Sequence, residues 1–267
     1  MKQDRQRNIF KVKYPTIGMN IRKEILKSQT GLRIIKLDKK RIITKAKFGP
    51  SKETQIHFLL DENLSFFIAA IIGDGHLKRE KFQIAIELSN KELIDYIKET
   101  CMKLFNRNFN IHPVKQRERK KLTYQMVMDS KSIYLLLNKV FEIPIGKKSN
   151  IVYVPKIIKK ANKSIKSAFL IGILLTEGGN RRRGIGMSTA SKKLWKDLIQ
   201  IFKEVGIKVF ADKWVYKKYN KEYYGFYFKR DKISLILEEC KNRGLNKVFK
   251  EHFCSHYIIK TTNRKLY

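Results

Sequence analysis

The densest apolar runs in the chain, Phe66 to Ile72 and Phe169 to Leu175, each end in a single carboxylate followed by glycine: Asp74-Gly75 and Glu177-Gly178. Each run predicts a helix. Small residues recur four positions apart, Ala69 and Gly73 in the first, Gly172 and Thr176 in the second, so each helix has one face on which another backbone can approach closely. Behind the first run, Phe82 to Leu88 alternates apolar and polar positions and predicts a strand. Asn90 then caps a helix with Leu93, Ile94, Ile97, Cys101 and Leu104 at helical spacing. Strands over 110–116 and 122–129 flank a charged turn at 117–121, and a helix from Lys131 carries Ile133, Leu136, Leu137 and Val140.

The second run heads the same succession: a turn at 181–183, a strand over 185–189, a helix from Ser191 through Val205, strands over 208–217 and 223–229, and a helix over 231–240. Asp74 and Glu177 stand 103 residues apart. The second hairpin turn follows the carboxylate by 45 residues in one half, at Arg119, and by 44 in the other, at Lys221. This shared register predicts duplication of one α/β unit. The predicted boundaries are a first repeat over 61–143, a linker over 144–164 rich in lysine with two prolines, and a second repeat and tail over 165–267. Residues 1–60 match neither repeat and read as a basic extension with a short helix over 20–28 and a strand pair over 32–47.

Composition then narrows the partner. With 267 residues and 43% apolar positions the chain can build ordinary cores. The 59 Lys and Arg against 24 Asp and Glu leave a formal charge of +35, which repels itself unless a polyanion screens it. Nucleic acid is the expected partner. Cys101, Cys240 and Cys254 have no paired spacing and fit a reducing, cytoplasmic setting. No run is long enough to span a membrane, and the first residues precede no signal-peptide core. His252, Cys254 and His256 lie within five residues, where alternation along a short strand would place them on one side either for packing or as metal ligands. The aromatic stretch from Trp214 to Phe228 reads as cross-strand packing or as a stacking platform for bases; Phe226 and Phe228 share a face suited to a core.

Packed side by side, the two apolar helices would bring Asp74 and Glu177 to a shared end, where a divalent cation would relieve their repulsion. The paired motifs, including Gly73-Asp74-Gly75, Thr176-Glu177-Gly178 and the connector Gly146-Lys-Lys-Ser, resemble those of the LAGLIDADG homing endonucleases in their two-repeat, monomeric form. The resemblance implies an α+β fold in which two pseudo-symmetric αββαββα repeats form a saddle of antiparallel sheets over DNA, here with an N-terminal extension. It implies a site-specific, metal-dependent endonuclease that cuts both strands, with Mg²⁺ or Mn²⁺ held by Asp74 and Glu177 and by backbone oxygens at Gly73 and Thr176. Candidate helpers are Lys115 and Lys229. Candidate DNA contacts are Arg79, Gln83, Gln116, Lys120, Gln125, Arg181, Arg182, Lys213, Tyr216 and Lys218. One departure stands out: where relatives place Gln or Lys at the end of the second strand, this chain has Glu87-Leu-Ser-Asn and Ser188-Thr-Ala-Ser. That keeps a second reading open, a catalytically decayed protein that binds DNA as a regulator or structured RNA as a maturase.

Overall fold

A computed structural model describes residues 18–49, 51–115, 122–181, 183–217 and 220–262, the side chains of 254–262 excepted. The described part of the N-terminal extension is a folded unit. It runs β1 (Met19–Asn20), α1 (Arg22–Ser28), β2 (Arg33–Leu37), β3 (Arg41–Lys45), β4 (Thr54–His57) and β5 (Leu59–Leu60), with β2, β3 and β4 forming an antiparallel sheet and β1 pairing β5. Polar contacts fix this unit to the first repeat: Thr44 donates to the Ser132 hydroxyl at 2.8 Å, and Arg107 donates to Thr54 at 3.0 Å.

The first repeat follows as α2 (Glu62–Gly73), β6 (Gly75–Leu77), β7 (Gln83–Leu88), α3 (Lys91–Phe105), β8 (Ile111–Lys115), β9 (Leu122–Asp129) and α4 (Lys131–Leu135), which continues as one π turn over Leu136–Val140. After α5 (Lys156–Lys160) the second repeat runs α6 (Lys163–Glu177), β10 (Gly178–Arg181), β11 (Gly184–Thr189), α7 (Lys192–Glu204), β12 (Phe210–Tyr216), β13 (Lys221–Phe228) and α8 (Ile233–Glu239), and α9 (Arg243–Thr262) closes the described chain. The sheets are ordered β6-β7-β9-β8 and β10-β11-β13-β12, all neighbours antiparallel. The duplication predicted from the register is therefore present strand for strand.

Local chemistry explains where the helices begin. The side chains of Asp61, Asn90, Asn162 and Ser191 each accept a hydrogen bond from the backbone N–H three residues on, at 2.9 to 3.1 Å, which satisfies a donor the helix leaves open. Ala69 to Ile71 and Phe169 to Ile171 are wholly inaccessible, so α2 and α6 form the centre of a core shared by both repeats. Each sheet packs one face on helices and leaves the other open: Ile84 and Ile86 of β7 and Met126 and Met128 of β9 point inward, as do Phe226 and Phe228 of β13, which meet Phe202 of α7.

Two expectations are corrected. The linker is not featureless: it contains α5, and α6 already begins at Lys163. Residues 251–256 lie within helix α9 rather than a short strand, because Leu245, Phe249 and Phe253 recur every four residues and bury one helical face. Among the described residues no helix is long and apolar enough to cross a membrane.

Candidate active site

The close approach predicted from small residues is the geometry that makes the site. A Cβ added to Gly73 would lie 2.1 Å from Thr176 Oγ1, and one added to Gly172 would lie 2.7 Å from Ala69 Cβ and 2.8 Å from the Phe66 carbonyl oxygen. Thr176 turns its hydroxyl back to donate to the Gly172 carbonyl at 3.0 Å, which leaves its neighbour helix room. Helices this close end together, and each end carries its carboxylate.

Their electrostatics match convergence. Partial burial, together with the negative charges of Glu177 and Glu87 and against the opposing charge of Lys148, raises Asp74 to about 7. Glu177 keeps an exposed edge, yet protein atoms crowding its other sides raise its pKa as well, again against Lys148. Lys148 is the site residue that the sequence did not single out. It comes from the linker, and its ammonium donates to the carbonyl oxygens of Ile71 and Ile72 at 2.5 Å and of Gly73 at 2.6 Å. Those are carbonyls the end of α2 leaves without partners, and a cation is favoured at that end of the helix dipole. Desolvation pulls the Lys148 pKa down to about 8 although both carboxylates favour its charge. The linker is anchored nearby by a Gly146 N–H bond to the Leu77 carbonyl at 2.8 Å.

The ladder registers define one row per half. Gly75 pairs Ile86, so Asp74 stands level with Glu87, which pairs Gln125, which pairs His112. Gly178 pairs Met187, so Glu177 stands level with Ser188, which pairs Gly225, which pairs Asp212. The strand-end positions noted in the sequence are thus beside the carboxylates, and they differ. Glu87 accepts from Thr123 at 2.6 Å and from Gln125 at 3.5 Å, in a cleft that Thr176 and His252 also line. The Glu177 cleft is lined instead by Lys148, Ser188, Thr189, Lys221 and Tyr223.

Other predicted residues divide by strand face. Gln83 and Gln125 lie on the open face, level with Asp129 and Glu87, to which they donate. Arg181 and Tyr216 alternate onto the open face of the second sheet, and Arg79 is exposed in the β6–β7 turn. Lys115 and Lys213 fall on the other side: Lys115 is in step with Ile111, opposite inward Met126, and Lys213 pairs buried Tyr224, whose ring packs at a tilt against Trp195 of α7. Both belong to edge strands, where solvent reaches both faces and exposure does not report orientation. Lys229 follows Phe228, which pairs Ile185, and so stands at the end of the sheet away from Ser188. Among the described residues it is Lys148, not Lys115 or Lys229, whose charge acts on Asp74 and Glu177. Gln116, Lys120, Arg182 and Lys218 lie outside the described residues.

Two carboxylates with raised pKa values, helix-end carbonyls and neighbouring hydroxyls make an all-oxygen donor set, which suits a hard divalent cation. Among the described residues no three His, Cys, Asp or Glu side chains are grouped to hold one by themselves. Any further ligands would come from solvent or substrate.

No protein-family model matches the chain. Among solved structures it is similar to the homing endonuclease I-DmoI in complex with DNA and calcium, at 14% identity over 72% of this chain and 98% of that one, with a TM-score of 0.50. A variant of I-DmoI in complex with its target DNA and manganese aligns at 16% identity over 69% and 96%, also with a TM-score of 0.50. The chain has the fold of the two-repeat LAGLIDADG homing endonucleases. A replication factor C small subunit of Methanocaldococcus jannaschii is 30% identical over 164 residues, which is 61% of this chain and 8% of that protein.

Proposed function

We propose that the protein is a metal-dependent endonuclease acting as a monomer on double-stranded DNA. The observation that carries this reading is the meeting of Asp74 and Glu177 at the ends of two tightly crossed helices, between two sheets with open faces. The fold shared with I-DmoI, whose structures are described with target DNA and divalent metals, supports it. The replication factor match covers too little of that protein to carry its role across.

In this reading Asp74 and Glu177 would hold Mg²⁺ or Mn²⁺, with the backbone oxygen of Thr176 contributing and that of Gly73 doing so where it is shared with the Lys148 ammonium. Such an ion lowers the pKa of attacking water and offsets charge on the scissile phosphate. The carboxylates release protons as the ion binds, so each functions in its charged form. Lys148 holds a positive charge against the negative cluster and steadies the end of α2. On the open faces, Gln83, Gln125, Arg181 and Tyr216 meet base edges and phosphates, in a groove wide enough for β-ribbons. Arg79 in its turn contacts the phosphate backbone, as do Lys120, Arg182 and Lys218, and Gln116 joins the base readers. A +35 chain supplies the long-range attraction.

The test is cleavage of a plasmid library, or of DNA flanking the protein's own gene, with Mg²⁺ or Mn²⁺. Cutting is expected, and Asp74→Asn or Glu177→Gln should reduce it at least 100-fold while DNA affinity changes little. One specific feature favours a second reading: Glu87 and Ser188 occupy the strand ends beside the carboxylates, where relatives carry Gln or Lys. Tight, salt-sensitive binding with no cutting under either metal would replace the nuclease with a DNA-binding regulator or an RNA maturase.

A further inference from the structure

We infer that the open face of the second sheet carries a slot for one nucleobase standing out of its helical stack. The inference rests on the nucleic-acid-binding part of the proposed function and not on the metal chemistry.

Alternation puts Phe210, Asp212, Trp214 and Tyr216 of β12 on the open face, opposite Tyr227, Gly225, Tyr223 and Lys221 of β13. The rings form two parallel cross-strand stacks, Phe210 on Tyr227 at 5.0 Å and 17°, and Trp214 on Tyr223 at 6.1 Å and 15°. Between the stacks lies the pair of Asp212 and Gly225. Glycine there leaves room for the Trp214 ring, whose Cζ3 would lie 2.8 Å from an added Cβ. From beneath, Trp195 of α7 donates its indole N–H to the Gly225 carbonyl at 2.8 Å and fixes the floor. The result is a cavity of about 230 Å³ bounded by Trp214, Tyr227, Asp212, Arg181 and Arg183.

Each feature selects the same occupant. Walls that include the rings of Trp214 and Tyr227 favour a flat aromatic ligand. A carboxylate acceptor beside two guanidinium donors suits a heterocycle with donors and acceptors on one edge. A base inside a duplex has both faces stacked and its pairing edge hidden, so the occupant is an unpaired one. The rings are not serving the core, since Phe226 and Phe228 do that from the opposite face, whereas Trp214 is 40% exposed. Among the described residues the first repeat has no counterpart: the corresponding row is His112, Gln125 and Glu87, with Val127 and Ala85 next along.

The test compares a DNA duplex bearing a single bulged 2-aminopurine with the same duplex fully paired, in EDTA so that no cutting intervenes. The wild-type protein should bind the bulged duplex roughly tenfold more tightly, with quenched 2-aminopurine fluorescence. Trp214→Ala and, separately, Asp212→Ala should abolish that preference while leaving affinity for paired duplex within about twofold. Equal binding of bulged and paired duplexes by the wild type, or a preference unchanged in both variants, would overturn the slot. A protein that cuts DNA without this preference would leave the nuclease standing and the slot refuted. One that keeps the preference but never cuts would do the reverse.

Discussion

Asp74 holds its proton in a range where a solvated carboxylate would have lost it, and stability must follow. Its pKa in the folded protein is about 7, against 3.8 for an unperturbed side chain. Between those values the folded chain binds a proton that the unfolded chain does not, so the metal-free protein loses stability as pH rises from about 4 to about 7. In EDTA the melting temperature of Asp74→Asn should fall less between pH 5 and pH 8 than that of the wild type, by a few degrees. Added Mg²⁺ should raise the wild-type melt at pH 8 and leave the variant nearly unmoved; equal slopes for the two proteins would refute the account. Because protons and metal compete for the same oxygens, the metal concentration for half-maximal cleavage should fall as pH passes through about 7. The two carboxylates were legible because each follows an apolar run at the same place in a repeat. Lys148 was seen only as part of the Gly146-Lys-Lys-Ser connector: it is one of 59 basic residues, and the spacing of that connector does not say that its second lysine folds back onto the end of α2.

Helix α2 and helix α6 depend on small residues for their spacing, and the dependence can be measured. Replacing glycine by alanine inside a helix ordinarily gains about 1 kcal/mol. At Gly172 the new methyl would meet Ala69 Cβ at 2.7 Å and the Phe66 carbonyl at 2.8 Å. The carbonyl belongs to the helix backbone and cannot rotate away, so an overpacking cost of about 1–3 kcal/mol should win. Gly172→Ala should therefore lower the melting temperature by a few degrees, whereas Gly179→Ala, with nothing within 4 Å of its added Cβ, should not. A stabilised Gly172→Ala would mean the helices are less tightly crossed. Element boundaries were readable where capping side chains or inward alternation marked them, as at Asn90, Ser191 and β7. They were less informative on β12, whose residues are exposed throughout, so its sequence has no apolar period to show which face is which. That is why Lys213 was assigned to the open face and the ring stacks on that face were not distinguished from core packing.

At the scale of the whole molecule, two halves with one topology have unlike chemistry at their strand ends. The Asp74 side has Glu87 and His252; the Glu177 side has Lys148 and Ser188. If each side serves one DNA strand, the strands should be cut at different rates, and a nicked intermediate should accumulate with one strand preferentially opened. Lys148, whose charge acts on both carboxylates, should affect both cuts. Glu87→Gln, by contrast, should change the rate of one cut far more than the other and alter the nicked pool; end-labelling each strand separately would read this, and an equal change of both cuts in Glu87→Gln would contradict it. The attachment of Lys148 to α2 also decides how this protein can be divided into two polypeptides. The connector belongs structurally to the first half as far as Lys148, through Ile145 bridging Leu77 and Gly146 bonding the same residue. A split-protein pair broken before residue 145 would give the lysine to the wrong fragment, on a tether with nothing to anchor it. A break after Asn150 would leave each fragment with the groups its own helix end needs, and complementation would then require only that α2 and α6 find each other.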